Sequence, residues 1–413
     1  MSLSNLISAA GSLQAGFETA ALPLLITLLS LLLLHDCNRF LLTRRAKELA
    51  LYLLLGMDRG RLSLLFFLEE LLLGLLSLAA GLLAGLLLFR SAQCLGLAEN
   101  LRLTAWQLFR AGVETAACFA LMEGLSLVLL RQSFQRMELR GLLEAKRENQ
   151  PPDSRGRLWY ACTAASFLIL LALLVGFVLL PEETGMLLLS VIALPLIGFV
   201  FSFYRSLFAL GGRLRTRGGG WLYRGDRLYQ AGFLLSQGGR EALVNSVLCL
   251  CLVFSSLSFA AGGVMLRVPV LDLFHQRWMA FLQLCVCVIF LVLYFAVLSL
   301  RQMRDLQRER SGLGLLWHLG RSPDELRCLL VRQLHQKFSL PLLLWGALYG
   351  MALVLAGGRV DALLRVPWLT LWLSMGFLGC LAVLYGLYFG LIYRASAVYL
   401  KHILPSAGND ISS

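Results

Sequence analysis

The amino-acid sequence predicts an all-α protein, a polytopic transmembrane helical bundle of about nine spans, and three observations carry that prediction. The chain is 58% hydrophobic with a mean hydropathy of +0.75, outside the balance of a soluble globular protein. Its apolar runs, such as "LLGLLSLAAGLLAGLLLF" and "FLILLALLVGFVLL", approach or reach the ~20 residues a helix needs to cross a bilayer core. Those runs are continuous rather than alternating with period two, which excludes a β-barrel.

In chain order the spans read as 19–40, 63–89, 106–130, 158–180, 186–208, 244–265, 278–300, 340–356 and 367–393. The first is preceded by Glu18 and followed by Arg39, Arg44, Arg45 and Lys47, so cation bias puts the N-terminus outside. Connections 131–157, 209–243 and 301–339 are all basic and alternate correctly with short, nearly neutral ones at 181–185 and 266–277. The tail from Arg394 then falls inside. Residues 1–16 lack the cationic start of a signal peptide, so either the short N-terminus is pushed across or an upstream span is missing.

Pro151-Pro152-Asp153 marks a break after three spans. The chain therefore divides into a first half at 1–150, a central pair of spans with a basic cytoplasmic loop at 151–243, and a second half at 244–413. In the loop, "DRLYQAGFLLSQGGREALVN" has the pattern of an amphipathic helix lying on the inner surface.

The net charge of +13 does not indicate nucleic-acid binding, because the cations crowd into connecting loops and no soluble stretch is long enough to form a basic domain. Ten cysteines do not form a disulfide framework, since seven of them lie in or beside apolar spans, where a thiol packs as a small soft residue. The Cys-x-Cys pairs 249/251 and 285/287 lack His or carboxylate company, so no metal site is expected.

One local pattern occurs twice. "KELALYLLLGMDRGRLSLLFFLEELLLG" begins at Lys47, and "RERSGLGLLWHLGRSPDELRCLLVRQ" begins at Arg308. A constant offset aligns Leu51 with Leu315, Leu55 with Leu319, Gly56 with Gly320, Asp58 with Ser322, Leu62 with Leu326 and Leu65 with Leu329. Both copies follow a span entering the cytoplasm and precede one leaving it. A glycine after the last leucine suits the left-handed end of a helix. In the second copy Ser322 is a good N-cap, Pro323 suits the first helical position and Glu325 completes a capping box. In the first, Met57 follows the glycine and Asp58 takes the capping place, weakened by Gly60. Two readings stay open: ordinary turns, or two docking knobs for a cytoplasmic partner, one per half.

At these residues the chain resembles the FtsX-like permease family of ABC transporters, most strongly in "RRAKELALYLLLGMDRGRLSLLFFLEELLLG". "RGLLEAKREN" and "LYGLYFGLIYRASAVYLKHILP" are similar to its bacitracin- and lantibiotic-resistance branch. The resemblance implies two pseudo-repeated FtsX-like halves in a multi-pass protein of the bacterial cytoplasmic membrane. Its partner would be an ABC ATPase subunit, two copies per chain, with ATP and Mg²⁺ on that subunit and no cofactor here. Transport or removal of an antimicrobial peptide or lipid-linked amphiphile is the function it implies. A lipoprotein- or peptide-exporting or mechanotransmitting permease is the alternative within the class. A non-transporting membrane sensor or adaptor, working with a sensor histidine kinase, is the alternative outside it. Two departures stand out: the branch's first helix has no counterpart, and its large extracytoplasmic domain is replaced by residues 266–277.

The chain contains no G-x-x-x-x-G-K-[ST], so ATP hydrolysis is expected on another subunit. Ionisable residues within spans are functional candidates, and Glu69 and Glu123 are the two taken forward. Glu69 matches the family's acidic position, whereas Glu70 and Glu114 read as interfacial, hydrated or paired with loop arginines. Ser77, Gly81 and Gly85 line one face of the second span, a spacing that lets helices approach closely, and read as internal packing rather than a homodimer face. His318 and His335 lack ligand spacing, and no nucleophile, base and acid can be assembled.

The topology is checked with compartment-specific reporters. An external reporter is expected to be active after Gln93 or His275 and silent after Arg147, Arg217 or Ser396. External activity at 147 or 217 contradicts the assignment.

Overall fold

A computed structural model describes residues 22–45, 48, 51, 52, 54–94, 105–136, 156–181, 191–217, 238–267, 273–318, 320 and 322–403. Among them the regular structure is helical, with no strand. Among the described residues nine long helices follow in order: α1 (Leu22–Arg44), α2 (Arg59–Cys94), α3 (Ala105–Arg136), α4 (Gly156–Leu179), α5 (Ala193–Arg217), α6 (Gly238–Arg267), α7 (Leu273–His318), α8 (Pro323–Leu364) and α9 (Leu369–Ile403). Among the described residues, α2 to α9 are long and apolar enough to cross a membrane. The protein is an all-α polytopic bundle.

By packing the chain divides into two units, one of residues 15–149 with 269–281 and one of 1–14, 150–268 and 282–413. In the smaller unit α3 packs against both α1 and α2. Asn38 of α1 donates to Ser126 Oγ of α3 at 3.2 Å, a buried polar tie between the two helices. At the other contact, a Cβ on Gly74 of α2 would stand 2.6 Å from Glu123 Oε1, so the bare backbone is what lets α3's carboxylate lie against α2.

The larger unit is organised around α6, which packs against α5, α8 and α9, while α4 pairs with α5 and α8. Its sequence explains that position. "NSVLCLCLVFSSLSFAAGG" is rich in small side chains, which let several helices approach one axis closely. Leu248, Cys249, Cys251 and Leu252 are fully buried there. Ser255 donates to the Cys287 carbonyl at 3.2 Å, and Ser256 accepts from Trp345 Nε1 at 3.2 Å, tying α6 to α7 and to α8. Stacked Phe254 and Phe290, with centroids 5.5 Å apart, fill the space between α6 and α7.

Residues 238–245 are the first turns of α6, which corrects their sequence assignment to a surface helix; residues 218–237 lie outside the described set. Glu241 and Asn245 are buried, at 9% and 0% exposed. The polar pattern of this stretch reflects internal partners rather than a membrane surface.

The corner between α8 and α9 is closed by a residue that is not glycine. Arg365 has φ 56°, Val366 N–H donates to the Asp361 carbonyl at 3.2 Å, and Asp361 Oδ1 accepts from Thr370 N–H at 3.0 Å. One carboxylate thus supplies the first turn of α9 from the end of α8. Asp361→Ala is expected to cost about 1 kcal/mol, as for other lost helix caps. Arg365→Gly is expected to gain a similar amount by relieving left-handed strain, ~1 kcal/mol. Thermal midpoints in detergent should therefore move in opposite directions for the two variants.

Candidate functional site

Both repeated turns take the conformation that their glycines suggest: Gly56 has φ 86° and Gly320 has φ 90°. In the first, Leu55 N–H donates to the Leu51 carbonyl at 2.9 Å and Met57 N–H reaches back to the Tyr52 carbonyl at 3.0 Å. That second bond, six residues to one, is the mark of a helix closed by a left-handed residue. Leu62 N–H then donates to the Asp58 carbonyl at 3.1 Å, and α2 is under way. In the second turn, Ser322 has extended backbone geometry, its Oγ accepts from Glu325 N–H at 3.3 Å, and Pro323 opens α8. Leu319 lies outside the described residues.

The flanks of the first turn are apolar and uncovered. Leu54 and Leu55 are 71% and 76% exposed, with Leu51, Tyr52 and Met57 also exposed. These side chains stand at the basic end of their helices, beyond the apolar part of α2. Clustered exposed apolar side chains of this kind are, in general, places of protein or membrane contact.

The acidic candidates divide differently from the sequence expectation. Glu69 pairs with Arg45 at 2.8 Å, both side chains about two-fifths exposed (41% and 43%), so it is an ion pair bridging the first turn rather than a group inside the bundle. Its neighbour Glu70 is the buried one, 8% exposed, with its carboxylate on the Asn38 amide. Adjacent residues on a helix point about 100° apart, so Glu70 meets the buried Asn38 while Glu69 reaches the more exposed Arg45 just past the end of α1. Glu123 does lie inside, over Gly74 and beside Phe119. Glu114 is exposed and paired with Arg110 on its own helix at 2.8 Å. The small-residue stripe is not packed within the described chain: Ser77, Gly81 and Gly85 are exposed, and a Cβ on either glycine would meet open space.

A second charged constellation escaped the sequence reading. Glu241 of α6, Arg301 and Asp305 of α7 and Lys337 of α8 converge in the larger unit, all with nearly buried side chains. The available signal was the presence of four charges at the margins of long apolar runs. Nothing in their spacing reveals that three different helices bring them together.

Residues 20–128 match the family described as FtsX-like permease C-terminal. The match takes in α1, the first turn, α2 and most of α3. No curated protein matches the chain. An FtsX-like permease domain at these residues supports a membrane permease of an ABC transporter in general. Members of that family are membrane components rather than enzymes, and the family implies an ABC ATPase partner in general.

Ser322→Ala removes the side-chain acceptor of the Glu325 N–H at the start of α8, and should cost about 1 kcal/mol locally. Amide exchange at Glu325 is expected to rise about fivefold, while exchange in the first turn, around Met57, should not change.

Proposed function

We propose that this chain is the permease subunit of an ABC transporter in the bacterial cytoplasmic membrane, N-terminus outside and C-terminus inside. It couples ATP hydrolysis by a separate ATPase to transport or removal of an antimicrobial peptide or lipid-linked amphiphile. Two ATPase subunits, carrying ATP and Mg²⁺, dock on one chain, one at Leu55-Gly56-Met57-Asp58 and one at Leu319-Gly320 and Ser322-Pro323. The supporting observation is the recurrence of one left-handed glycine turn, at Gly56 and Gly320, between a helix arriving at and a helix leaving the basic end. The family match over the first of these turns supports the same reading.

The physical logic is that a motor needs something stiff to push. The second turn joins two long helices, α7 and α8, through few residues, so a force on that knob is delivered to helix ends rather than absorbed by a loop. Membrane lipids surround the exposed apolar faces of α2, α3 and α4. The short connection between α6 and α7, residues 268–272, favours one second reading, a membrane adaptor that signals through a sensor histidine kinase without moving substrate.

Gly56→Val and Gly320→Val test the docking sites. A β-branched residue resists the left-handed region by about 1–2 kcal/mol, enough to tilt the flanking helix while the spans stay inserted. Each variant is expected to lower co-purification of a co-expressed Walker-motif ATPase and to raise sensitivity to the peptide. The purified chain alone should show no hydrolysis above background. If both variants assemble and protect like the parent, the turns are only turns; if the parent binds the ATPase without affecting peptide distribution, the adaptor reading takes its place.

A further inference from the structure

Three helices of the larger unit meet at one buried ion cluster. Arg301 of α7 donates through Nη2 to Glu241 Oε2 at 2.6 Å and through Nη1 to Asn245 Oδ1 at 2.8 Å, both partners on α6. Lys337 of α8 stands 2.8 Å from Asp305 Oδ2 of α7 and 3.5 Å from Glu241 Oε1. Arg301 and Lys337 side chains are only 3% and 4% exposed. The buried cations Arg301 and Lys337 face the two carboxylates, the charge of Arg304 also acts on Glu241, and Asn245 is itself fixed by donating to the Glu241 carbonyl at 2.8 Å. Separating such a set leaves a charge buried without its partner, which costs far more than separating a surface pair. The cluster therefore holds the start of α6 against the cytoplasmic-side lengths of α7 and α8.

The cluster's place in the fold gives that rigidity a use. From Asp305, α7 runs on for about 20 Å to His318, turns at Gly320, and α8 returns over a similar length to Lys337. The second turn is thus the tip of a helical arm whose root is the cluster. One turn beyond Lys337, Pro341 has no N–H for the Lys337 carbonyl, so α8 bends most easily just above the clamp. On the far side lies α6, the helix around which the larger unit packs. The first turn has a different root: its ion pair, Arg45 with Glu69, is exposed and easily opened.

We propose that Glu241, Arg301, Asp305 and Lys337 are positioning residues that carry displacement of the second turn into α6, so that the second turn transmits while the first chiefly holds its partner. The proposal rests on the reading of the two turns as docking sites, and its test does not require a docked ATPase.

Hydrogen exchange of the chain in lipid nanodiscs supplies the readout. Gly320→Val strains the tip of the arm and is expected to raise amide exchange in residues 241–248 at least fivefold, whereas Gly56→Val leaves that segment within twofold of the parent. Adding Arg301→Met to Gly320→Val is expected to abolish the further response. The charge swap Glu241→Arg with Arg301→Glu should restore at least half of it. If Arg301→Met fails to fold, the charge-balanced Lys337→Met/Asp305→Leu chain replaces it and should likewise lose the response. An α6 that ignores Gly320→Val, or that still responds with the cluster broken, overturns the clamp. In the assembled complex, the ratio of substrate-stimulated to basal hydrolysis should fall at least fivefold in the cluster variants and less than twofold in Arg45→Ala/Glu69→Ala. Failure of the parent to recruit an ATPase, with the exchange response present, overturns the docking reading and leaves the clamp standing.

Discussion

A helix that leaves a membrane has to be reversed before the next span can begin, and here the reversal rests on a glycine held in the left-handed region. At Gly56 the φ of 86° allows Met57 N–H to reach the Tyr52 carbonyl, satisfying a helix end that would otherwise present bare carbonyls. The same conformation at Gly320, φ 90°, lies between α7 and α8, the two longest helices among the described residues. The turn is short because the glycine makes it short, and the helices stay stiff up to its edge. Exposed Leu54 and Leu55 follow from the geometry: a tight turn cannot cover its own last helical side chains.

The two turns are backed by unlike chemistry. In the first, an exposed Arg45–Glu69 pair spans the turn, and buried Asn38 links α1 to α3. In the second, two cations and two carboxylates are withdrawn from solvent across α6, α7 and α8. Surface pairs contribute little to rigidity, whereas a buried set resists being pulled apart. Repetition of the backbone motif therefore does not entail equivalent mechanics.

How much of this was legible in the sequence depends on the range of the interaction. The apolar runs gave the helices, because crossing a bilayer is a demand on composition within one segment. Gly56, Gly320 and Ser322 were legible for the same reason, since a helix end is decided by residues within one turn. Glu69 and Glu70 were not separable, because which of two neighbours faces inward depends on the helix phase relative to α1. Glu241, Arg301, Asp305 and Lys337 are far apart in sequence and meet only through packing of α6 to α8. The start of α6, residues 238–245, looked amphipathic because Glu241 and Asn245 have partners, and the sequence does not say that those partners are buried. Ser77, Gly81 and Gly85 show the converse, a close-packing pattern whose face the described chain leaves open.

The central claim, that the paired turns are where a motor subunit takes hold, is tested most directly by site-specific photo-cross-linking. A photoreactive side chain at Met57, and separately at Ser322, would be activated in native membranes containing the co-expressed ATPase. Adducts of the ATPase at both positions, and none from a probe at exposed Leu194 in an apolar span, are the predicted result. Lipid adducts alone at both turns would contradict the account.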